Sequence, residues 1–154
     1  MLNRLKEVFA SFESHDVRYV VIGGIAAILH GVPRSTFDLD ILIDPTPENA
    51  QRLLAALAEA GLGTASLTNS DELLANAITI FQDRLRVDVQ TRTPGIEFRQ
   101  AMDRCMRMTY QGQAFNVLSR EDLIESKLAA GRDVDIEDVR LLRLDADAPD
   151  DSNA

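Results

Sequence analysis

Val17-Arg18-Tyr19-Val20-Val21-Ile22-Gly23-Gly24 and, 13 residues further on, Asp38-Leu39-Asp40-Ile41 decide how this chain folds. The first run is β-branched and aromatic, so it reads as a strand, and the double glycine stops it. Ile25 to Leu29 reads as a short buried helix ending near Gly31, which Pro33 prevents from continuing. Phe37 to Ile43 reads as a second strand, closed by the turn-forming Asp44-Pro45-Thr46-Pro47. Strand side chains alternate, so Asp38 and Asp40 share one face while Phe37, Leu39 and Ile41 share the other. Two carboxylates on one face repel each other unless a cation or a proton neutralises them. Oxygen ligands of this kind suit Mg²⁺ or Mn²⁺, which bind through one or two carboxylates plus substrate phosphates. Glycines behind a strand let a backbone approach phosphate closely, and a helix start presents N–H groups to an anion. Taken singly, each feature also has a plain reading: exposed acids on a half-solvated strand, and an ordinary glycine turn.

Outward from that stretch, helix and strand patterns alternate along the chain. Leu2, Leu5, Val8, Phe9 and Phe12 recur at helical spacing, which predicts an amphipathic helix over 2–14. Thr46 as N-cap and Pro47 at the first helical position open a helix running to about Ala60, before Gly61. Residues 63–76 allow a short strand, a helix around Ser70 to Ala75, or both. Ala77 to Phe81 and Leu85 to Val89 predict a hairpin, and a helix follows near Ile96 to Arg104. Arg107 to Tyr110 and Ala114 to Leu118 predict a second hairpin. Ser119, with Asp122 three residues on, starts a helix to about Gly131, and Ile136 to Leu144 predicts a last one. No repeat or linker interrupts the pattern. One α+β domain over 1–144 with a mixed sheet is the economical class.

In Arg86-Val87-Asp88-Val89-Gln90 apolar and polar residues alternate, which puts Asp88 on a polar face with Arg86 and Gln90. A strand pairing of the right kind would bring Asp88 beside Asp38 and Asp40.

Composition narrows the partners. The chain holds 25 acids against 16 bases, a net charge of −9, which makes it a poor clamp for long duplex or single-stranded nucleic acid. Four of those acids lie in the tail over 145–154, which has no base and is expected to be disordered. One cysteine, Cys105, excludes an internal disulfide, and two histidines argue against a zinc cluster. No apolar run reaches the roughly 18 residues of a membrane span, so the default location is cytoplasmic, with no membrane partner.

Ile22-Gly23-Gly24, the 13-residue interval and Asp38-Leu39-Asp40-Ile41, with Asp88 as a later third acid, resemble the nucleotidyltransferase superfamily of DNA polymerase beta and poly(A) polymerases. Gly23 to Asp40, with His30-Gly31 and Arg34-Ser35-Thr36 inside it, looks like the compact prokaryotic branch related to abortive-infection toxins. Leu118 to Lys127, followed by Gly131-Arg132 and Asp135 to Asp138, is similar to that branch's C-terminal helix pair. The resemblance implies the nucleotidyltransferase fold, a mixed central sheet flanked by helices. It implies an NTP substrate, Mg²⁺ or Mn²⁺ on Asp38, Asp40 and Asp88, and an unidentified acceptor hydroxyl on RNA, protein or a small molecule. It also implies a toxin–antitoxin or phage-defence setting with a cognate partner protein. A nucleotide-binding or interaction module that has lost catalysis is the alternative.

Gly23, Gly24, Arg34, Thr36 and Lys127 are the candidate nucleotide contacts. Arg34 could grip a phosphate or pair with an acid and fix its loop. Thr36 could touch a phosphate or cap the turn. Lys127 would ordinarily sit on a solvated helix face and becomes a phosphate candidate through the resemblance; Arg132, Asp135 and Asp138 suit a local charge network. His30 suits a helix-end packing role.

Overall fold

The computed structural model describes residues 2–146. In chain order the elements are α1 (Leu2–Ser14), β1 (Tyr19–Ile22), α2 (Gly23–Leu29), β2 (Asp38–Ile43) and α3 (Pro47–Glu59). A 3₁₀ turn (Gly63–Leu67) and α4 (Ser70–Ala75) lead to β3 (Ile78–Gln82) and β4 (Arg86–Gln90). Then come α5 (Phe98–Arg104), β5 (Met106–Tyr110), β6 (Gln113–Val117), α6 (Arg120–Ala130) and α7 (Asp133–Ala146). The six strands form one sheet in the order β3-β4-β2-β1-β6-β5. β1 runs antiparallel to β2 and parallel to β6, while β2 and β4 are parallel, so the sheet is mixed as expected.

Register sorts the side chains of this sheet onto two faces. Tyr19 pairs with Ile43, Val21 with Ile41, Leu39 with Val87 and Ile41 with Val89. These residues form the fully covered face, where α1 brings Leu5, Val8, Phe9 and Phe12. Phe9 stacks on Phe115 with ring centres 4.5 Å apart and lies parallel to Tyr19 at 6.2 Å, well inside the range of favourable aromatic pairs. Val20, Ile22, Asp40, Leu42, Asp88 and Gln90 occupy the opposite face.

Local chemistry sets the ends of the elements. Thr46 caps α3 by accepting a hydrogen bond from the Asn49 amide at 3.3 Å, and Ser119 caps α6 through the Asp122 amide at 3.1 Å. Gly131 ends α6 in the left-handed region. Asn49 is fully buried and ties the two central strands together. It accepts from the Arg18 amide at 2.8 Å and donates to the carbonyls of Arg18 (3.0 Å) and Asp44 (2.9 Å).

Three expectations change. The open segment before α4 is a 3₁₀ turn and not a strand. Helix α2 begins at Gly23 itself, so both glycines belong to its first turn. Helix α7 starts at Asp133 and runs to Ala146, further each way than its apolar residues indicated, because Asp133 and Asp135 favour a helix start. It takes in the first two residues of the expected tail, and 147–154 lie outside the described residues. Among the described residues no helix is long and apolar enough to cross a membrane.

Candidate active site

The parallel pairing of β2 with β4 brings the acids together. Asp40 lies directly opposite Asp88, Asp38 opposite Arg86, and Ile22 at the end of β1 opposite Asp40. Gly23 follows Ile22 with φ +68°, a conformation that favours glycine. A methyl group at Gly23 would lie 2.5 Å from Asp40 Oδ2, and one at Gly24 would lie 2.7 Å from Arg34 Nη2 and 3.3 Å from the Thr36 methyl. Gly23 is therefore required before any ligand arrives, by its backbone as well as by Asp40, whereas a side chain at Gly24 would have to displace the tip of Arg34. The glycines, Arg34, Thr36, the three acids and Lys127 all line one cleft of about 450 Å³.

Charge in this cleft is unevenly neutralised. Arg86 donates to Asp88 from Nε at 2.9 Å and from Nη2 at 3.2 Å, a two-pronged contact, and its Nε lies 3.7 Å from Asp38. Asp40 has no such cation. Burial pushes its carboxyl up to about 7, reinforced by the charges of Asp88 and Asp38 and by a hydrogen bond with Asp88, against which Arg86 pulls only weakly. A proton shared near neutral pH thus does part of what a cation would do. The donor set fits a divalent metal in kind, being all oxygen and crowded, with Asp40 the acid that lacks a direct cationic partner. Among the described residues no three such groups close into a ready cage, and Asp38 lies partly exposed with Arg86 Nε 3.7 Å away.

A buried ionic cluster backs the cleft. Lys127 Nζ lies 2.8 Å from Asp138 and 3.6 Å from Asp135, with all three side chains almost fully buried. Arg34 Nη2 reaches Asp138 at 3.1 Å, and Arg132 Nε reaches Asp135 at 2.8 Å. Burial alone would raise Asp135, but the Arg132 hydrogen bond and the charges of Arg132 and Lys127 hold it below the usual carboxylate range. Arg34 therefore pairs with an acid, the partner being Asp138 on α7. Its Nε is still buried without an acceptor among the described residues, so it retains an unused donor. Lys127 is buried where a solvated face was the ordinary expectation for such a residue, because α7 packs on α6 and supplies two carboxylates. His30 Nε2 lies 2.7 Å from the Leu118 carbonyl, a packing role as expected.

Sequence reasoning left Arg86 and Asp138 out of the site. Arg86 carried a usable signal, since it precedes Asp88 by two on the same alternating face. Asp138 was read only as part of a local charge network, and its pairing with Arg34 and Lys127 depends on how α7 docks.

A mixed sheet with this element order is a nucleotidyltransferase fold. The chain superposes on the crystal structure of a "putative nucleotidyltransferase" from Thermotoga maritima with TM-score 0.58, covering 93% of this chain and 90% of that one. At 18% identity that likeness speaks for the fold alone. The family described as "Nucleotidyltransferase of unknown function" (DUF6036) matches residues 2–146, and the chain belongs to it. No functionally curated protein matches the chain.

Proposed function

We propose that the protein transfers a nucleoside monophosphate from an NTP to an acceptor hydroxyl and releases pyrophosphate. The acceptor oxygen forms the new bond to the α-phosphorus, and the bond from that phosphorus to the β-phosphate bridging oxygen breaks. The observation that carries this reading is the Asp40–Asp88 register, which sets two acids side by side at the mouth of the Gly23-Gly24 turn. Asp38, Asp40 and Asp88 would hold Mg²⁺ or Mn²⁺, which when bound supplies Lewis-acid activation of the acceptor and neutralisation of the triphosphate. Asp88 takes the acceptor proton. The Gly23 and Gly24 backbone faces the phosphates, and the Arg34 side chain, which lines the same cleft, steadies the departing pyrophosphate. Lys127 holds Asp138, and through it the Arg34 guanidinium.

Incubation with α-labelled NTPs and Mg²⁺ or Mn²⁺ tests the reading. Label transfer with pyrophosphate release is expected from the wild type and not from Asp88→Asn. If no NTP binds with either metal, the reading is wrong. NTP binding together with a cellular effect that survives Asp88→Asn would favour the idle nucleotide-binding module.

A further inference from the structure

Beyond the acid cleft, the same face of the sheet carries a second cleft of about 560 Å³, within the usual range for small-molecule sites. Arg18, Arg92 and Arg99 line it, with Pro45 and Ile96 as accessible apolar surface over the buried Leu42 and Phe98. The two clefts adjoin. Leu42 pairs across the sheet with Gln90; Leu42 lines the second cleft and Gln90 the acid cleft. Leu42 also follows Asp40 by two residues on the same side of β2, a step of roughly 7 Å along a strand.

The charges in this second cleft are not internally balanced. Asp44 also lines it and is committed to Arg18 at 3.3 Å. Arg92 and Arg99 are exposed and make no ion pair or hydrogen bond among the described residues. Glu97 is the one further acid in the lining, so two unpaired guanidinium groups face a single unpaired carboxylate. In a chain of net charge −9, unpaired arginines gathered at one cleft are a local reversal of sign. The base of the cleft is also held rigid, because buried Asn49 clamps the backbone of both Arg18 and Asp44.

We propose that this arginine-lined cleft binds the acceptor, and that the acceptor is a small hydroxylated molecule carrying a phosphate group. The proposal rests on the nucleotidyl-transfer reading of the adjoining acids. Guanidinium forks match phosphate oxygens two at a time, so Arg92 and Arg99 select the anion. The neighbouring apolar surface accommodates the body of the molecule, and the register leads its hydroxyl towards Asp40 and Asp88. An RNA acceptor fits less well, because the acidic remainder of the chain gives a long phosphate backbone nothing to follow.

The test titrates the isotopically labelled protein, by backbone-amide NMR, with glycerol 3-phosphate, with a short single-stranded RNA and, separately, with each of the common NTPs in the presence of Mg²⁺. Glycerol 3-phosphate is expected to shift amides over 91–99 and at Asp44. The double variant Arg92→Ala/Arg99→Ala is expected to weaken that binding about tenfold or more, while affinity for the bound NTP with Mg²⁺ stays within about twofold. Both arginines are exposed, so the variant should keep its fold, and its amide spectrum reports whether it does. Unmoved amides over 91–99, or equal binding by the double variant, would overturn the proposal. Tighter RNA binding with the same arginine dependence would overturn it in favour of a nucleic-acid acceptor. Failure of the wild type to bind any NTP with Mg²⁺ would count against the catalytic reading, and the glycerol 3-phosphate arm would still decide whether the cleft is an anion site.

Discussion

Strand β2 presents two surfaces that obey different rules. Leu39, Ile41 and Ile43 point towards the face covered by α1 and are completely buried. Asp38 and Asp40, interleaved with them, point into a cleft where burial and the neighbouring acids work against the ionised form of Asp40. Many apolar combinations of the right volume would satisfy the first face. The second holds groups that folding alone would not choose, the usual mark of a surface kept for chemistry.

Substitutions on the two faces should therefore separate function from stability. Asp40→Asn keeps the volume and removes the charge. It should lower nucleotidyl transfer about 10³-fold, close to 4 kcal/mol of transition-state stabilisation, while the metal-free protein melts at a higher temperature than the wild type. Single-turnover label transfer beside thermal melts checks both halves, and retained activity would break the contrast. Leu39→Ala should do the reverse. A loss of about 3 kcal/mol in urea unfolding is expected from the cavity, with transfer per folded molecule within about twofold.

Proton linkage gives a smaller contrast. The folded protein keeps a proton on Asp40 that the unfolded chain has already released, from the ordinary carboxylate range up to about 7. Metal-free stability should thus fall as pH rises through that window and level off above it. After allowance for partial solvent access, the fall should be about 1–2 kcal/mol, measurable as a drop in Tm and absent in Asp40→Asn. Mn²⁺ should oppose the fall most at the alkaline end. The smallest effect concerns Arg86, which neutralises Asp88 from within. Arg86→Gln should raise Mn²⁺ affinity about fivefold in an electron paramagnetic resonance titration, because an internal competitor is removed. Weaker binding would instead show that Arg86 orients the acid it touches.

What the sequence revealed of these faces follows the range of the interactions. Alternation within Asp38-Leu39-Asp40 and Val87-Asp88-Val89 is local, and it announced both the buried and the polar sides correctly. The meeting of Asp40 with Asp88 is not local, since it depends on a parallel pairing reached through α3 and α4. The glycines were legible as a place where backbone must come close to something. That Asp40 and Arg34 already occupy this space was invisible without the packing. Lys127 shows the other limit: its helical position suggested solvent, and only the docking of α7, which brings Asp135 and Asp138, explains its burial.

The parallel β2–β4 register also shapes how such a protein can change over evolutionary time. The crossover between these strands can gain or lose residues at little thermodynamic cost, because closure entropy grows slowly with loop length. A one-residue slip within β4 is another matter, since it would turn Asp88 into the buried apolar face shared with Leu39 and Ile41 and bring Val87 or Val89 out beside Asp40. Length variation among descendants should therefore collect between Asp44 and Ile78, while the strands on either side stay fixed in length even where their residues drift.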